Sequence, residues 1–111
     1  MEQILNWNPD AILFAPGSIY DTVADNENWQ TITAIKDGAY YEVPFGPYNW
    51  MGFPPSAQRY LGMVWLSKVL YPDATAQYDL FTDVHEYYEL FYHCDLTQAQ
   101  YDALVANSLG K

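Results

Sequence analysis

The feature that most constrains the fold is an uninterrupted apolar run, Ala11-Ile12-Leu13-Phe14-Ala15, which Pro16-Gly17 ends. Five apolar residues that stop at a turn signal indicate a buried β-strand. Since a strand that is apolar on both faces usually belongs to a sheet covered on both sides, the run favours an α/β fold over an open antiparallel sheet. The turn Pro16-Gly17-Ser18 follows the carboxyl end of this strand, where such folds bind ligands.

Capping and turn signals divide the rest of the chain into one further strand and several helices. A helix capped by Asp25 or Asn26 is expected to end at Asp37-Gly38, and Thr97 with Gln100 forms the capping box of a short terminal helix. The helix after Ser56 is apolar around almost its whole circumference, so we expect it to be largely buried. The expected elements are helices ending near 7 and spanning 25–36, 56–70, 76–93 and 97–105, and strands at 11–15 and 39–43.

This order predicts an α/β fold with a few-stranded, mainly parallel sheet, flanking helices and a helical C-terminal tail, built as a single domain over residues 1–111. Two strands are very few for such a fold, because a two-stranded sheet is marginal alone. Its open edge offers unpaired backbone groups to any neighbouring strand. We therefore expect either missing upstream sequence or a homodimer formed by strand exchange.

Composition excludes several classes of partner. Fourteen acidic against four basic side chains give a formal net charge of −10, which repels nucleic acid and anionic membrane surfaces. The single Cys94 cannot form an internal disulfide. No apolar run reaches the length of a membrane span, and the first five residues, Met1-Glu2-Gln3-Ile4-Leu5, lack the pattern of a signal peptide. Taken alone, these features indicate a cytoplasmic protein.

The stretch from residue 45 to residue 55 combines four aromatic residues with three prolines and two glycines. Prolines remove backbone donors and glycines weaken regular structure, so this stretch cannot form a helix or a central strand. We expect an ordered aromatic loop that follows the second strand.

Several short motifs then occur in series: Glu2-Gln3-Ile4-Leu5, Asn8-Pro9-Asp10-Ala11-Ile12-Leu13-Phe14, Trp29, Ala34-Ile35-Lys36-Asp37-Gly38, Val43-Pro44, Trp50, Leu61-Gly62 and Trp65-Leu66. In order and spacing they resemble the C-terminal lobe of periplasmic substrate-binding proteins of the cobalamin and iron-siderophore class, which serve ABC importers. The resemblance covers nearly the whole chain.

The resemblance implies a protein of two α/β lobes joined by a long rigid helix, with a metal chelate held in the cleft and a permease as docking partner. The first lobe and the connecting helix have no counterpart in this chain. It also implies an extracytoplasmic location, in the periplasm or as a cell-surface lipoprotein, and no cofactor. Iron-siderophore, haem and cobalamin are the expected chelates, and an oxyanion remains open as the ligand.

The same resemblance suggests the residues that act. Trp50, Tyr48 and Asn49 fall in the loop that faces the cleft in the family, where aromatic rings and an amide can contact a chelate. Arg59 follows this loop and can neutralise an anionic ligand, although a surface salt bridge is an equal alternative. Glu2 falls where the family carries a glutamate that pairs with a permease arginine, and an ordinary exposed Glu is the alternative. Packing inside the core is the alternative for the loop aromatics.

Two other functional classes remain open. His85, Glu89 and His93 recur every four positions on one expected helix, which suggests a zinc site and a metal-dependent hydrolase or metal-storage fragment. Successive steps of four drift around a helix, however, and a His-Glu-x-x-His motif is absent, so we expect no metal there. No catalytic motif is present, so an enzyme is not expected. The second alternative is a structural, dimerising module without a ligand.

Overall fold

The fold was obtained as a computed structural model, which describes residues 1–110 and contains six helices and two strands there. The strands are parallel and in register, with Leu13 opposite Tyr41 and Phe14 opposite Glu42. The predicted α/β fold class is confirmed. Within these residues, no helix is both long and apolar enough to cross a lipid bilayer. The elements are α1 Glu2–Trp7, β1 Ile12–Phe14, α2 Tyr20–Val23, α3 Thr33–Lys36, β2 Tyr40–Glu42, α4 Arg59–Leu70, α5 Leu80–Tyr92 and α6 Gln98–Leu104.

The chain forms two compact units. The first, here called the sheet unit, comprises Met1–Val43 and the C-terminal residues from Asn107 onward, and it holds both strands with α1, α2 and α3. The second, here called the helical unit, comprises Pro44–Ala106 and holds the aromatic loop with α4, α5 and α6. The expected single domain over residues 1–111 stays a prediction.

Phe14 lies at the centre of the sheet unit. Its ring contacts those of Tyr20, Trp29 and Tyr40, with centroid separations of 6.2, 5.6 and 6.4 Å. Edge-on and tilted ring pairs of this kind add to the energy of apolar burial. On the other face of the strand, Leu13 is 39% exposed. The prediction that β1 is covered on both faces is therefore wrong, because the helices of this unit cover one face only.

The single helix expected over 25–36 is also wrong, since α2 ends at Val23 and α3 begins only at Thr33. Turns fill the intervening stretch. The Asn26 side chain accepts a hydrogen bond from the Asn28 backbone N–H at 3.1 Å, and the Gln30 side chain donates to the Ala24 carbonyl at 2.7 Å. Such side-chain bonds offer the backbone an alternative to the helical ladder. Asn26 begins a turn here and does not cap a helix.

A distant side chain caps α3. The Thr33 N–H donates to the Asn8 Oδ1 at 2.9 Å, and the Asn8 Nδ2 donates to the Thr33 hydroxyl at 2.9 Å. Asn8 itself adopts a left-handed conformation, with φ of 41°, directly after α1. Asn8 thus ends the first helix with its backbone and caps the third with its side chain.

Helix α4 is shorter and more exposed than the sequence suggests. Ser56 begins a turn in which its hydroxyl accepts from the Gln58 N–H at 3.2 Å, and the helix starts only at Arg59. Its buried residues lie on one face, at Leu61, Gly62 and Trp65, whereas Met63 is exposed. The prediction of a largely buried helix is wrong, because aromatic and apolar side chains of α4 also remain at the surface.

Side-chain caps define the ends of α5 and α6. The Asp79 carboxylate accepts from the Thr82 backbone N–H at 3.2 Å, so α5 begins at Leu80 rather than at residue 76. The helix ends at His93, which has a positive φ of 50°. At α6 the expected capping box is confirmed, with reciprocal bonds between Thr97 and Gln100.

The tryptophans differ in environment between the units. In the sheet unit, Trp7 is 69% exposed and Trp29 is partly buried. In the helical unit, Trp50 and Trp65 have no exposed surface. The large buried ring systems of the helical unit therefore supply much of its apolar core.

Candidate functional site

In the sheet unit, the candidate site is the turn at the carboxyl end of β1. Gly17 has a φ of 70°, a conformation that glycine adopts without strain, and the Ser18 N–H donates to the Ala15 carbonyl at 3.1 Å. Both Gly17 and Ser18 are exposed. The exposed Ser18 hydroxyl is therefore the group of this turn that can donate a hydrogen bond to an anion.

Glu42, which sequence reasoning missed, holds this turn in place. Its Oε1 accepts the Gly17 N–H at 2.9 Å, and its Oε2 accepts the Asn107 Nδ2 at 3.1 Å. The Asn107 carbonyl in turn accepts the Glu42 N–H at 2.9 Å. In a parallel pair the carboxyl ends of both strands meet at one edge, so a charged residue at the end of β2 was the available signal.

In the helical unit, the aromatic loop is organised around the carbonyl oxygen of Gly46. It accepts from the Trp50 Nε1 at 3.3 Å, from the Gln58 Nε2 at 2.7 Å and from the Tyr88 hydroxyl. Burial raises the pKa of Tyr88 to about 12, so this hydroxyl keeps its proton at neutral pH. The Gln58 Oε1 also accepts the Tyr48 N–H at 2.8 Å. The loop is therefore ordered, as expected, and Gln58 is its central support.

The predicted ligand-binding residues of the loop differ in exposure. Trp50 is completely buried, so its indole offers no free face for stacking and packs in the core of this unit. Tyr48 is 47% exposed. The Asn49 Oδ1 accepts the N–H groups of Met51 and Gly52, at 2.9 and 2.7 Å, which leaves its Nδ2 as the group able to donate to a ligand. Their ligand-binding roles stay predictions.

The two predicted charged residues are both exposed. Arg59 is the first residue of α4, and within residues 1–110 its guanidinium forms no salt bridge. The alternative of a surface ion pair is therefore not realised, and the charge is available to an anion. Glu2 lies in the first turn of α1. Its role in permease docking stays a prediction.

The alternative metal site is not formed. His85 is held by a contact of 2.9 Å between its Nδ1 and the Leu96 carbonyl, and its Nε2 lies 3.7 Å from the Asp95 carboxylate. His93 leaves the helical conformation, and no group of three His, Cys, Asp or Glu side chains in the described part of the chain could hold a metal ion. The metal alternative thus lacks a binding geometry. Cys94, near this end of α5, is a free thiol.

A curated protein resembles this chain in sequence. No family model matches it. It is 34% identical over 94 residues to the molybdate-binding protein MolA of Haemophilus influenzae, a match that covers 83% of this chain and 26% of that protein. The chain thus spans about a quarter of the length of this curated relative.

Solved structures match the fold. An ABC transporter solute-binding protein from Sulfurospirillum deleyianum has a TM-score of 0.88 and 30% identity, with 96% of this chain and 32% of that chain covered. A periplasmic solute-binding protein from Veillonella parvula gives a TM-score of 0.84 and 29% identity over 95% of this chain and 33% of that one. For MolA bound to molybdate, the TM-score is 0.72 with 30% identity, over 86% and 30% of the two chains.

The relatives are solute-binding proteins, which agrees with the expectation that this chain does not belong to an enzyme family. Those described as periplasmic indicate an extracytoplasmic location. Neither the sequence match nor the structural matches name a siderophore or cobalamin protein, so the finer expectation of that class is not supported. In sequence and in fold, the chain is related to one part of the solute-binding proteins of ABC transporters.

Proposed function

We propose that this chain forms part of the solute-binding component of an ABC importer whose solute is a tetrahedral oxyanion of the molybdate class. The observation that carries the proposal is the 34% identity to a molybdate-binding protein over 94 residues. The match to the fold of the molybdate-bound relative supports it. The expected chelate of siderophore, haem or cobalamin type is replaced, since the named ligand among the relatives is molybdate.

The charge of the chain limits how an oxyanion can be held. A net charge of −10 repels a dianion at long range. Affinity must then come from short-range donors, such as N–H, O–H and guanidinium groups, which bind oxyanions strongly when they are preorganised.

Donors of this kind occur within each unit. In the sheet unit, we assign the Ser18 hydroxyl, in the turn that Glu42 holds through the Gly17 N–H. In the helical unit, we assign the free Arg59 guanidinium and the Asn49 Nδ2, with Tyr48 as an exposed hydroxyl beside it in sequence. Trp50 supports this loop from the core.

The remaining parts of the proposed function concern delivery. An importer component must dock on a permease, and the exposed Glu2 carboxylate on α1 is our candidate for pairing with a permease arginine. Attachment as a cell-surface lipoprotein is a further proposal that rests on the family resemblance alone.

Calorimetric titration tests the ligand. Since this chain covers only 26% of Haemophilus MolA, the sharpest sample is a chimera in which this chain replaces the matching residues of that protein. We expect the chimera to bind molybdate, and not sulfate, phosphate, a ferric siderophore, haem or cobalamin. A folded chimera that binds a chelate, or that binds no molybdate, would contradict the proposal.

Arg59→Gln in the chimera tests the assigned cation. Because a hydrogen bond to a charged group contributes about 1.5–3 kcal/mol, we expect molybdate affinity to fall at least about tenfold. The matched control is Lys36→Gln, which removes an exposed positive charge from the sheet unit. Equal losses in the two variants would show that only net charge matters.

A homodimer stays a proposal for the isolated chain. Within residues 1–110 each strand pairs on one side only, and Leu13 is partly exposed on the sheet surface. Open edges of this kind can pair with a second copy. Light scattering of the 111-residue protein should then give twice the monomer mass, and a monomer at high concentration would exclude the dimer.

A further inference from the structure

An open groove lies between α4 and α5 in the helical unit. It encloses about 680 Å³, and the segment that joins the two helices closes one side of it. The side chains that dominate its surface are aromatic or aliphatic, namely Tyr60, Val64, Tyr78, Tyr87, Leu90 and Phe91. Leu90 is 64% exposed and Phe91 is 61% exposed. Large apolar side chains grouped at a surface mark interaction sites more often than scattered ones do.

The aromatic wall of this groove packs on the core of the helical unit through Tyr87. The rings of Tyr87 and Phe91 stack with a centroid separation of 4.5 Å and an interplanar angle of 23°. Tyr87 is also in edge contact with Tyr92, at 6.0 Å. Because Tyr87 is buried, it links the exposed Phe91 ring to the core of the unit. A preordered ring loses little conformational entropy on binding.

The charged side chains that line the groove differ in whether they are free to pair with a partner. Lys68 points its Nζ at two backbone carbonyls, those of Thr75 at 2.8 Å and of Tyr78, so its donors are largely occupied. Asp83 and Glu86 also line the groove, and within residues 1–110 neither forms a salt bridge. The rim therefore presents two unpaired carboxylates beside an apolar floor.

We propose that this groove is a docking site for an amphipathic helix of a partner protein, whose apolar face covers Leu90 and Phe91 and whose Lys or Arg side chains pair with Asp83 and Glu86. Charge complementarity selects this occupant, since an acidic rim rejects an acidic segment. Length agrees as well: the 13 residues of α5 extend over about 20 Å at 1.5 Å per residue, which suits a helix of similar length. Helix-in-groove recognition uses this combination of apolar anchors and flanking charges. The proposal does not depend on the solute.

The test is a calorimetric titration of the protein with a synthetic amphipathic peptide that carries leucines on one face and lysines on the other. Phe91→Ser removes the proposed anchor, and Met63→Ser is its control, because Met63 is equally exposed on α4 but does not line the groove. We expect the peptide affinity to fall about tenfold or more for Phe91→Ser, as for an interface anchor, and to stay unchanged for Met63→Ser.

A second pair of variants isolates the charge. Glu86→Gln removes a rim carboxylate, and Glu89→Gln removes an exposed carboxylate of the same helix outside the groove. We expect only Glu86→Gln to weaken binding and to reduce its dependence on salt. Hydrogen exchange should show protection of α4 and α5 in the complex.

Three outcomes would overturn the proposal. They are the absence of peptide binding, equal losses in the groove and control variants, and a self-associated protein in which a second copy protects α4 and α5. The substituted side chains are exposed, so circular dichroism should show that each variant remains folded, and any loss then reports the groove itself.

Discussion

The sheet unit and the helical unit are held together in different ways. In the sheet unit, the stabilising polar contacts join residues far apart in sequence, as Asn8 does with Thr33 and Glu42 with Gly17, each 25 positions away. In the helical unit, the Gly46 carbonyl accepts from Gln58, 12 positions away, and from Tyr88, 42 positions away, and buried tryptophans form the core. Complete burial of Trp50 and Trp65 removes a large apolar area from water in the helical unit, whereas Trp7 of the sheet unit stays exposed. We therefore expect the helical unit to be the more stable one, with slower amide hydrogen exchange.

The strongest test of this difference uses the same substitution in each unit. A Cβ at Gly62 would lie 2.3 Å from the Trp50 carbonyl oxygen, whereas a Cβ at Gly17 meets nothing within 4 Å. Gly62→Ala should thus cost about 3 kcal/mol or more, because backbone must move. Gly17→Ala should cost only about 1–2 kcal/mol, the strain of a left-handed residue with a side chain. Urea unfolding measures both, and equal costs would contradict the close approach of α4 to the loop.

Removing the central support of the loop should have the next largest effect. Gln58 is fully buried and bonds both Gly46 and Tyr48. Gln58→Leu leaves the Tyr48 N–H without its acceptor, so we expect a loss of about 2 kcal/mol. Hydrogen exchange should show faster opening in the helical unit and unchanged rates in the sheet unit. Faster exchange in both units would show that they unfold together.

The corresponding change in the sheet unit is Asn8→Ala. It removes the cap of α3 and places a side chain less tolerant of φ at 41° after α1. We expect a loss of about 1–2 kcal/mol, seen as faster exchange of the α3 amides. Asn6→Ala, an exposed change within α1, is the control and should stay within about 0.5 kcal/mol of the parent.

The smallest expected effect concerns pH. The hydrogen bond from the Thr82 hydroxyl lowers the pKa of Asp79 below its ordinary value of 3.8. A carboxyl whose pKa is lower in the folded than in the unfolded state stabilises the fold above its unfolded pKa, and this contribution is lost as pH falls through the folded pKa. Asp79→Asn should therefore make the unfolding free energy less dependent on pH below 3.8. Thr82→Val should also make the unfolding free energy less dependent on pH. If either variant keeps the pH dependence of the parent protein, the proposed hydrogen bond between Asp79 and Thr82 does not stabilise the fold.

The regions that sequence predicted correctly are those fixed by neighbouring residues. The capping box of Thr97 and Gln100 and the strand ended by Pro16-Gly17 depend on a few adjacent side chains, and both are present. The helix expected from Asn26 failed because side-chain bonds there form turns. The exposure of Leu13 was missed because coverage of a strand depends on the number of neighbouring elements, which composition does not reveal.

The sequence predicted where the candidate site lies in the chain, but it did not predict the contacts that hold the site together. The turn at Gly17 and the aromatic loop were identified from turn chemistry and family resemblance. Glu42 and Gln58 were missed, because their bonds to Gly17 and Gly46 connect positions that no local pattern links. Trp50 is buried because Gly62 lets α4 approach its backbone, which only the folded arrangement shows. The chelate expectation failed to gain support because short motifs describe the lobe and not the ligand.

The four tryptophans differ in exposure to solvent, so their fluorescence can report on the unfolding of the two units. Emission from Trp50 and Trp65, shielded from water, should lie at shorter wavelength than emission from the exposed Trp7. Acrylamide, an uncharged quencher, should reach Trp7 first and the shielded indoles only after the helical unit opens. A denaturant titration followed by tryptophan fluorescence would then reveal whether the two units unfold in one step or in two.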